Sequence, residues 1–119
     1  MFRNERQRSA VAYVLLDSLQ LGKLWTVEGP TEAACTLLKK RGGSLSSGER
    51  LILLAAFDLW NGDGHADFSE LLYRLDDTRL HLLGSFLVAF ASGSSGVDRW
   101  LAKHLRTDPN ATPASEAQA

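Results

Sequence analysis

Apolar residues recur along this chain at spacings of three and four, which is the pattern of helices that bury one face. In the first such segment Val11, Val14, Leu15 and Leu19 follow this spacing. The pattern predicts six helices: about Glu5 to Leu21, Thr31 to Arg41, Leu51 to Trp60, Phe68 to Leu75, a helix containing Leu80 to Phe90, and Val97 to Arg106. No segment has a convincing strand pattern, so the predicted fold is all-α, a compact bundle of five to six short helices.

Turn and charge signals set the expected ends of the first two helices. Gly22 is a natural stop for the first helix, and Gly29-Pro30 breaks the chain before the second. The segment from Leu24 to Val27 fits either a short extended piece or another helical turn. Lys39, Lys40 and Arg41 precede a glycine pair, and basic residues in a last turn suit the helix dipole.

Capping patterns mark the later helices. Ser46 with Glu49 forms a capping box, and Asp67 with Glu70 repeats the pattern after the central loop. The helix that follows Ser46 is apolar on nearly all sides, which predicts a central, buried position. The run from Ser92 to Gly96 predicts a flexible break.

Composition narrows the class of protein. The chain has 119 residues, 45% of them hydrophobic, which fits one helical domain over residues 1–106. Residues 107–119 contain no large apolar side chain and are expected to be a disordered tail. With 13 basic and 14 acidic residues the net charge is −1, so binding to nucleic acid is not expected.

Location follows from cysteine use and apolar runs. Cys35 is the one cysteine, which excludes an intramolecular disulfide and favours a reducing, cytoplasmic compartment. Its apolar helical surroundings predict a buried, inert side chain. The apolar run from Ala10 to Leu16 ends at Asp17, too early for a membrane span or a good secretory signal.

The segment from Ala55 to Leu72 carries the most suggestive chemistry. An apolar helix leads into a loop of Asn, Asp and Gly centred on residues 61–66, and a second helix follows. Asn61, Asp63 and Glu70 offer hard oxygen ligands, and Gly64 permits a sharp turn. These features together predict a helix–loop–helix in which a divalent cation could bind.

Residues 55–72 resemble the EF-hand family, whose calcium loop reads Asp-x-Asn-x-Asp-Gly and ends with glutamate at the twelfth position. With Glu70 as the twelfth residue, Asn61, Asp63 and Gly64 fall at the third, fifth and sixth positions. The resemblance implies a weak Ca²⁺ site, and no other cofactor is expected. Its ligands would be the side chains of Asn61, Asp63, Asp67 and Glu70 and the backbone carbonyl of His65.

Two departures from the family pattern favour a different interpretation. The first ligand position holds Leu59, with Asp58 one residue too early, and the eighth position holds Ala66. No second EF-hand follows in the chain. Gly and Asn also serve ordinary turns, and Asp67 with Glu70 suits helix capping without any metal.

The remaining sequence favours protein interaction over catalysis. It contains no nucleophile elbow, no phosphate-binding glycine loop and no paired His/Cys metal spacing. The high apolar content predicts a surface for another protein or a second copy of the chain, with Trp60 and Trp100 as candidate contact residues. The alternatives are a Ca²⁺-binding module and an enzyme whose site is assembled from distant residues.

Overall fold

Six α-helices form the body of the protein. A computed structural model describes residues 1–40 and 43–105. The helices are α1 (Glu5–Asp17), α2 (Glu32–Lys39), α3 (Ser47–Asn61), α4 (Phe68–Arg74), α5 (Asp77–Ala91) and α6 (Gly93–Leu105). The predicted all-α bundle is confirmed. Arg41, Arg106 and the tail 107–119, for which disorder was predicted, lie outside the described residues.

A small hairpin between α1 and α2 corrects the expectation that the chain has no strands. A 3₁₀ turn (Gly22–Leu24) leads into β1 (Trp25–Thr26), which pairs antiparallel with β2 (Gly29–Pro30). For the segment from Leu24 to Val27 the sequence left a helical turn and an extended piece as alternatives, and the structure contains both. Each strand has only two residues, which is too short for the alternating pattern that identifies a strand in a sequence.

The first helix is shorter than predicted and ends without a glycine. Gln20 adopts a left-handed conformation with a φ of 63°, and the Leu21 N–H donates to the Leu16 carbonyl at 2.9 Å. Gly22 serves a different purpose, since a Cβ there would lie 2.8 Å from the Asp17 carboxylate. Gly22, which was predicted to end the helix, therefore marks a close approach to α1. The residue that turns the chain is Gln20, two residues earlier.

The end of α2 is bound by a residue from the next helix. Arg50 of α3 donates to the carbonyls of Leu37, Leu38 and Lys40 at 2.9 to 3.2 Å. Lys39 lies in the last turn of α2 as the dipole argument predicts, and Arg50 adds a cation from another helix. Cys35 on α2 is exposed, so the prediction of a buried thiol is wrong. Ala34, one residue earlier, is the buried residue of α2.

The core has two parts that share α1. On one side α1 packs along α3, which is largely buried as predicted, together with α2, α4 and the hairpin. On the other side α1 packs against α5 and α6 through Val11, Val14, Phe86, Val97, Trp100 and Leu101. Complete burial of one such side chain contributes about 1.5–3 kcal/mol, so α1 holds the two halves of the protein together.

Residues 93–96 begin α6, which corrects the prediction of a flexible break over Ser92 to Gly96. Ser92 ends α5, and Gly93, with a φ of 82°, turns the chain into α6. A Cβ on Gly96 would lie 2.4 Å from the Ala89 carbonyl oxygen. Small residues are needed here because α6 lies against the end of α5.

The caps predicted for α3 and α4 are confirmed, whereas α6 begins at Gly93, four residues before the predicted Val97. Ser46 and Glu49 form the reciprocal capping box that opens α3. Asp76 caps α5 by accepting a hydrogen bond from the Arg79 backbone N–H at 2.7 Å. Asp67 caps α4, which places the start of this helix at the end of the loop that resembles an EF-hand.

Candidate functional site

The loop between α3 and α4 folds back onto the helix that precedes it. Gly62 ends α3 in a left-handed conformation, and its N–H donates to the carbonyls of Phe57 and Asp58 at 3.1 Å. Two residues later Gly64 is buried against α3, where a Cβ would lie 1.8 Å from the Leu54 carbonyl oxygen. Only glycine allows this approach, so the conformation of the loop depends on Gly64 whether or not a cation binds.

Asp58 fixes the far side of the loop. Its two carboxylate oxygens accept hydrogen bonds from the backbone N–H groups of His65, at 2.7 Å, and Ala66, at 2.8 Å. His65 is held there with a positive φ of 54°. Hydrogen bonds to a charged acceptor are stronger than neutral ones, so this carboxylate clamps the loop to α3. The sequence pattern offered Asp58 only as a misplaced metal ligand and did not indicate this function.

Each predicted ligand side chain has a partner within the protein. Asn61 donates from Nδ2 to Asp63 at 3.0 Å and accepts from its N–H at 2.9 Å. Asp67 accepts hydrogen bonds from the N–H groups of Ser69 and Glu70. The carboxylate of Glu70 pairs with Arg74 at 2.7 Å instead of returning to the backbone of Asp67.

The described residues, 1–40 and 43–105, contain no group of three or more His, Cys, Asp or Glu side chains placed to hold a metal ion. The residues of the EF-hand pattern follow one another along this loop. Their side chains form a turn, a helix cap and an ion pair. Ca²⁺ binding by Asn61, Asp63, Asp67 and Glu70 stays a prediction.

The two tryptophans proposed as contact residues both take part in packing. Trp100 is 6% exposed, donates its indole N–H to the Ser85 hydroxyl at 2.9 Å and meets Phe86 edge-on. Trp60 is half-buried, and its ring lies against Gly29 of the hairpin. A direct interaction function for Trp60 and Trp100 stays a prediction, and the larger exposed apolar areas lie elsewhere.

Apolar side chains are exposed on α4 and α5. Phe68 is 69% exposed, Leu72 51%, Leu87 54% and Val88 72%. We call these four residues the α4–α5 surface. Phe68 and Leu87 line one groove of about 270 Å³, which has a floor of Ala55, Leu59, Leu71, Leu83 and Phe86.

The sequence contains a pattern that indicates this exposed apolar surface. The helix now seen as α5 is apolar on more than one side, and one bundle face cannot bury all of it. Phe68 and Leu72 are also spaced by four, which places them on one side of α4.

None of the helices among the described residues has the length and apolarity needed to cross a membrane. Comparison of the chain with protein-family models, with curated proteins and with solved structures gave no match.

Proposed function

We propose that this protein is a non-enzymatic helical domain that self-associates through the α4–α5 surface. The observation that carries this proposal is an apolar groove lined by the exposed Phe68 and Leu87, with Leu72 and Val88 also exposed on the same two helices. Exposed apolar residues that occur singly need no explanation, but a group of them beside a groove is typical of an interaction site.

The area of the surface supports a weak dimer. Given the exposed fractions of its four side chains, the α4–α5 surface offers on the order of 400 Å² of apolar area. A stable interface buries about 800 Å² on each partner, and transient contacts bury less. With a polar rim added, the surface is sufficient for a complex that forms and dissociates with concentration.

A second copy of the chain is the partner that best fits the surface. The groove of about 270 Å³ accepts one side chain the size of Phe or Leu, and the α4–α5 surface itself presents such side chains at the rim of the groove. Two copies related by a twofold axis can each supply both the groove and the side chain that fills it. The net charge of −1 gives little repulsion between copies.

Sedimentation equilibrium of the purified chain at micromolar to millimolar concentration tests the proposal. Phe68→Ser removes about 1–2 kcal/mol of apolar burial from each copy, so the dimer dissociation constant should rise at least tenfold. Tyr73→Ser is the matched control, because Tyr73 is an 85%-exposed aromatic residue on another side of α4. A chain that stays monomeric at millimolar concentration, or equal weakening by both variants, would contradict self-association through this surface.

A further inference from the structure

A second concave region lies where three helices meet, and it shares no residue with the α4–α5 surface. The last turn of α1, the first half of α5 and the last turn of α6 border an open cavity of about 710 Å³. Small-molecule sites have volumes of roughly 300–1,000 Å³. Val14, Leu82 and Leu105 supply an apolar wall, which can cover the non-polar part of a small organic molecule.

Basic side chains outnumber acidic ones in the lining of this cavity. Arg79, His81, Lys103 and His104 line it, against the single carboxylate of Asp17. Cations in the last turn of a helix stabilise its dipole, and this accounts for two of the four basic side chains without a ligand. It does not account for Arg79, which lies in the first turn of α5, where the dipole disfavours a positive charge.

The guanidinium group of Arg79 is held in place with donors to spare. Its side chain is 17% exposed. Nη1 donates to the Ser18 carbonyl at 2.5 Å, and Nε faces the Asp76 carboxylate at 3.4 Å. Among the described residues Nη2 has no hydrogen-bond acceptor. A fixed guanidinium with unused N–H groups is suited to a carboxylate or phosphate oxygen.

Two histidines also line the cavity. His81 directs Nδ1 to the Asp77 carbonyl at 2.8 Å, which leaves Nε2 for other contacts. His104 lies against Trp100 with ring centroids 4.6 Å apart. Burial, and next the charge of Lys103, lower the pKa of the His104 ring. The fixed positive charges at the cavity are therefore those of Arg79 and Lys103.

We propose that this cavity binds a small organic anion through a carboxylate or phosphate group held by Arg79 and Lys103. The apolar part of the ligand lies against Val14 and Leu82. The proposal is independent of self-association, because it depends on a different part of the surface.

Phenyl phosphate and benzoate are suitable probes, with phenol as a neutral molecule of the same shape. Amide chemical shifts of the ¹⁵N-labelled full chain should change saturably with either anion, with a dissociation constant of about 1 mM for ligands of this size. The affected amides should belong to α1, α5 and α6, and phenol should have no comparable effect. The tighter of the two anions identifies the acid group that the cavity prefers.

Variants locate the binding. Lys103→Gln should raise the dissociation constant at least fivefold, and Arg79→Gln should do the same. Lys103 is exposed, so its replacement tests the site without a risk to folding. Lys39→Gln, which removes an exposed lysine from the last turn of α2, should leave binding unchanged. The proposal is overturned by non-saturating shifts, by equal binding of phenol, or by unchanged binding to Lys103→Gln.

Discussion

The conformation of the loop between α3 and α4 should depend on Gly64, and Gly64→Ala tests this directly. A Cβ at this position would lie 1.8 Å from the Leu54 carbonyl oxygen and 3.0 Å from the Asp58 nitrogen. A carbon and an oxygen in contact need about 3.3 Å. The obstructing atoms are backbone atoms inside α3, so the loop must move outward by about 1.5 Å.

This displacement breaks the clamp made by Asp58. The hydrogen bonds from His65 and Ala66 to its carboxylate are 2.7 and 2.8 Å long, and a shift of this size takes both beyond hydrogen-bond distance. Each such bond to a charged group contributes about 1.5–3 kcal/mol. Water replaces part of this at the exposed His65, so we expect a loss of about 3 kcal/mol in the free energy of unfolding.

Urea denaturation followed by circular dichroism measures the effect. For a domain of this size the expected loss corresponds to a fall in Tm of roughly 10–20 °C. Gly84→Ala is the matched control, because Gly84 lies within α5 and a Cβ there meets no atom within 4 Å. That change should stabilise the protein by about 0.5–1 kcal/mol, as alanine does within helices. A Gly64→Ala variant within 1 kcal/mol of the unaltered chain would refute the reasoning.

Three further outcomes are expected. Asp58→Asn should lower the free energy of unfolding by about 1–2 kcal/mol in urea titrations, because the amide can accept from only one of the two N–H groups; an unchanged midpoint would show that the carboxylate does not clamp the loop. Burial, and next Lys103, lower the pKa of His104 from its ordinary 6.5. Protonation of His104 therefore favours the unfolded chain, so the free energy of unfolding should decrease as the pH falls below 6.5. His104→Gln should reduce this pH dependence, which is measured as the difference between the urea midpoints at pH 7.5 and 5.5. If the loop binds Ca²⁺, millimolar Ca²⁺ should raise Tm above its value in EDTA and Glu70→Gln should remove the rise, whereas equal Tm values in both solutions would count against a calcium site.

Local signals in the sequence were sufficient for most helix starts. Ser46 and Asp67 cap helices as predicted, because an N-cap depends on side chains within three residues of it. Helix ends that depend on other parts of the fold were not predictable in this way. The turn at Gln20 uses a residue with no strong left-handed preference, and the end of α2 is bound by Arg50, ten or more residues along the chain.

Glycine and serine residues were misinterpreted where packing explains them. The run from Ser92 to Gly96 has the composition of a flexible linker, but Gly96 is small because the Ala89 carbonyl lies against it. Composition alone cannot separate a residue that is small for flexibility from one that is small for close approach, since both require the absence of a side chain. The sequence did not indicate the cavity beside Arg79, because its lining combines α1 with α5 and α6, which lie far from α1 in the chain.

The resemblance to an EF-hand and the observed loop have a common physical cause. A chain that leaves one helix, turns sharply and starts another needs a left-handed glycine, a residue without a side chain at the closest approach, and an acidic N-cap. Gly62, Gly64 and Asp67 meet these three needs. Asp58 lies one residue before the first ligand position of the family pattern. Here both of its oxygens bind backbone N–H groups on the far side of the loop, so the carboxylate holds the two ends of the turn together in the way that a bound cation would.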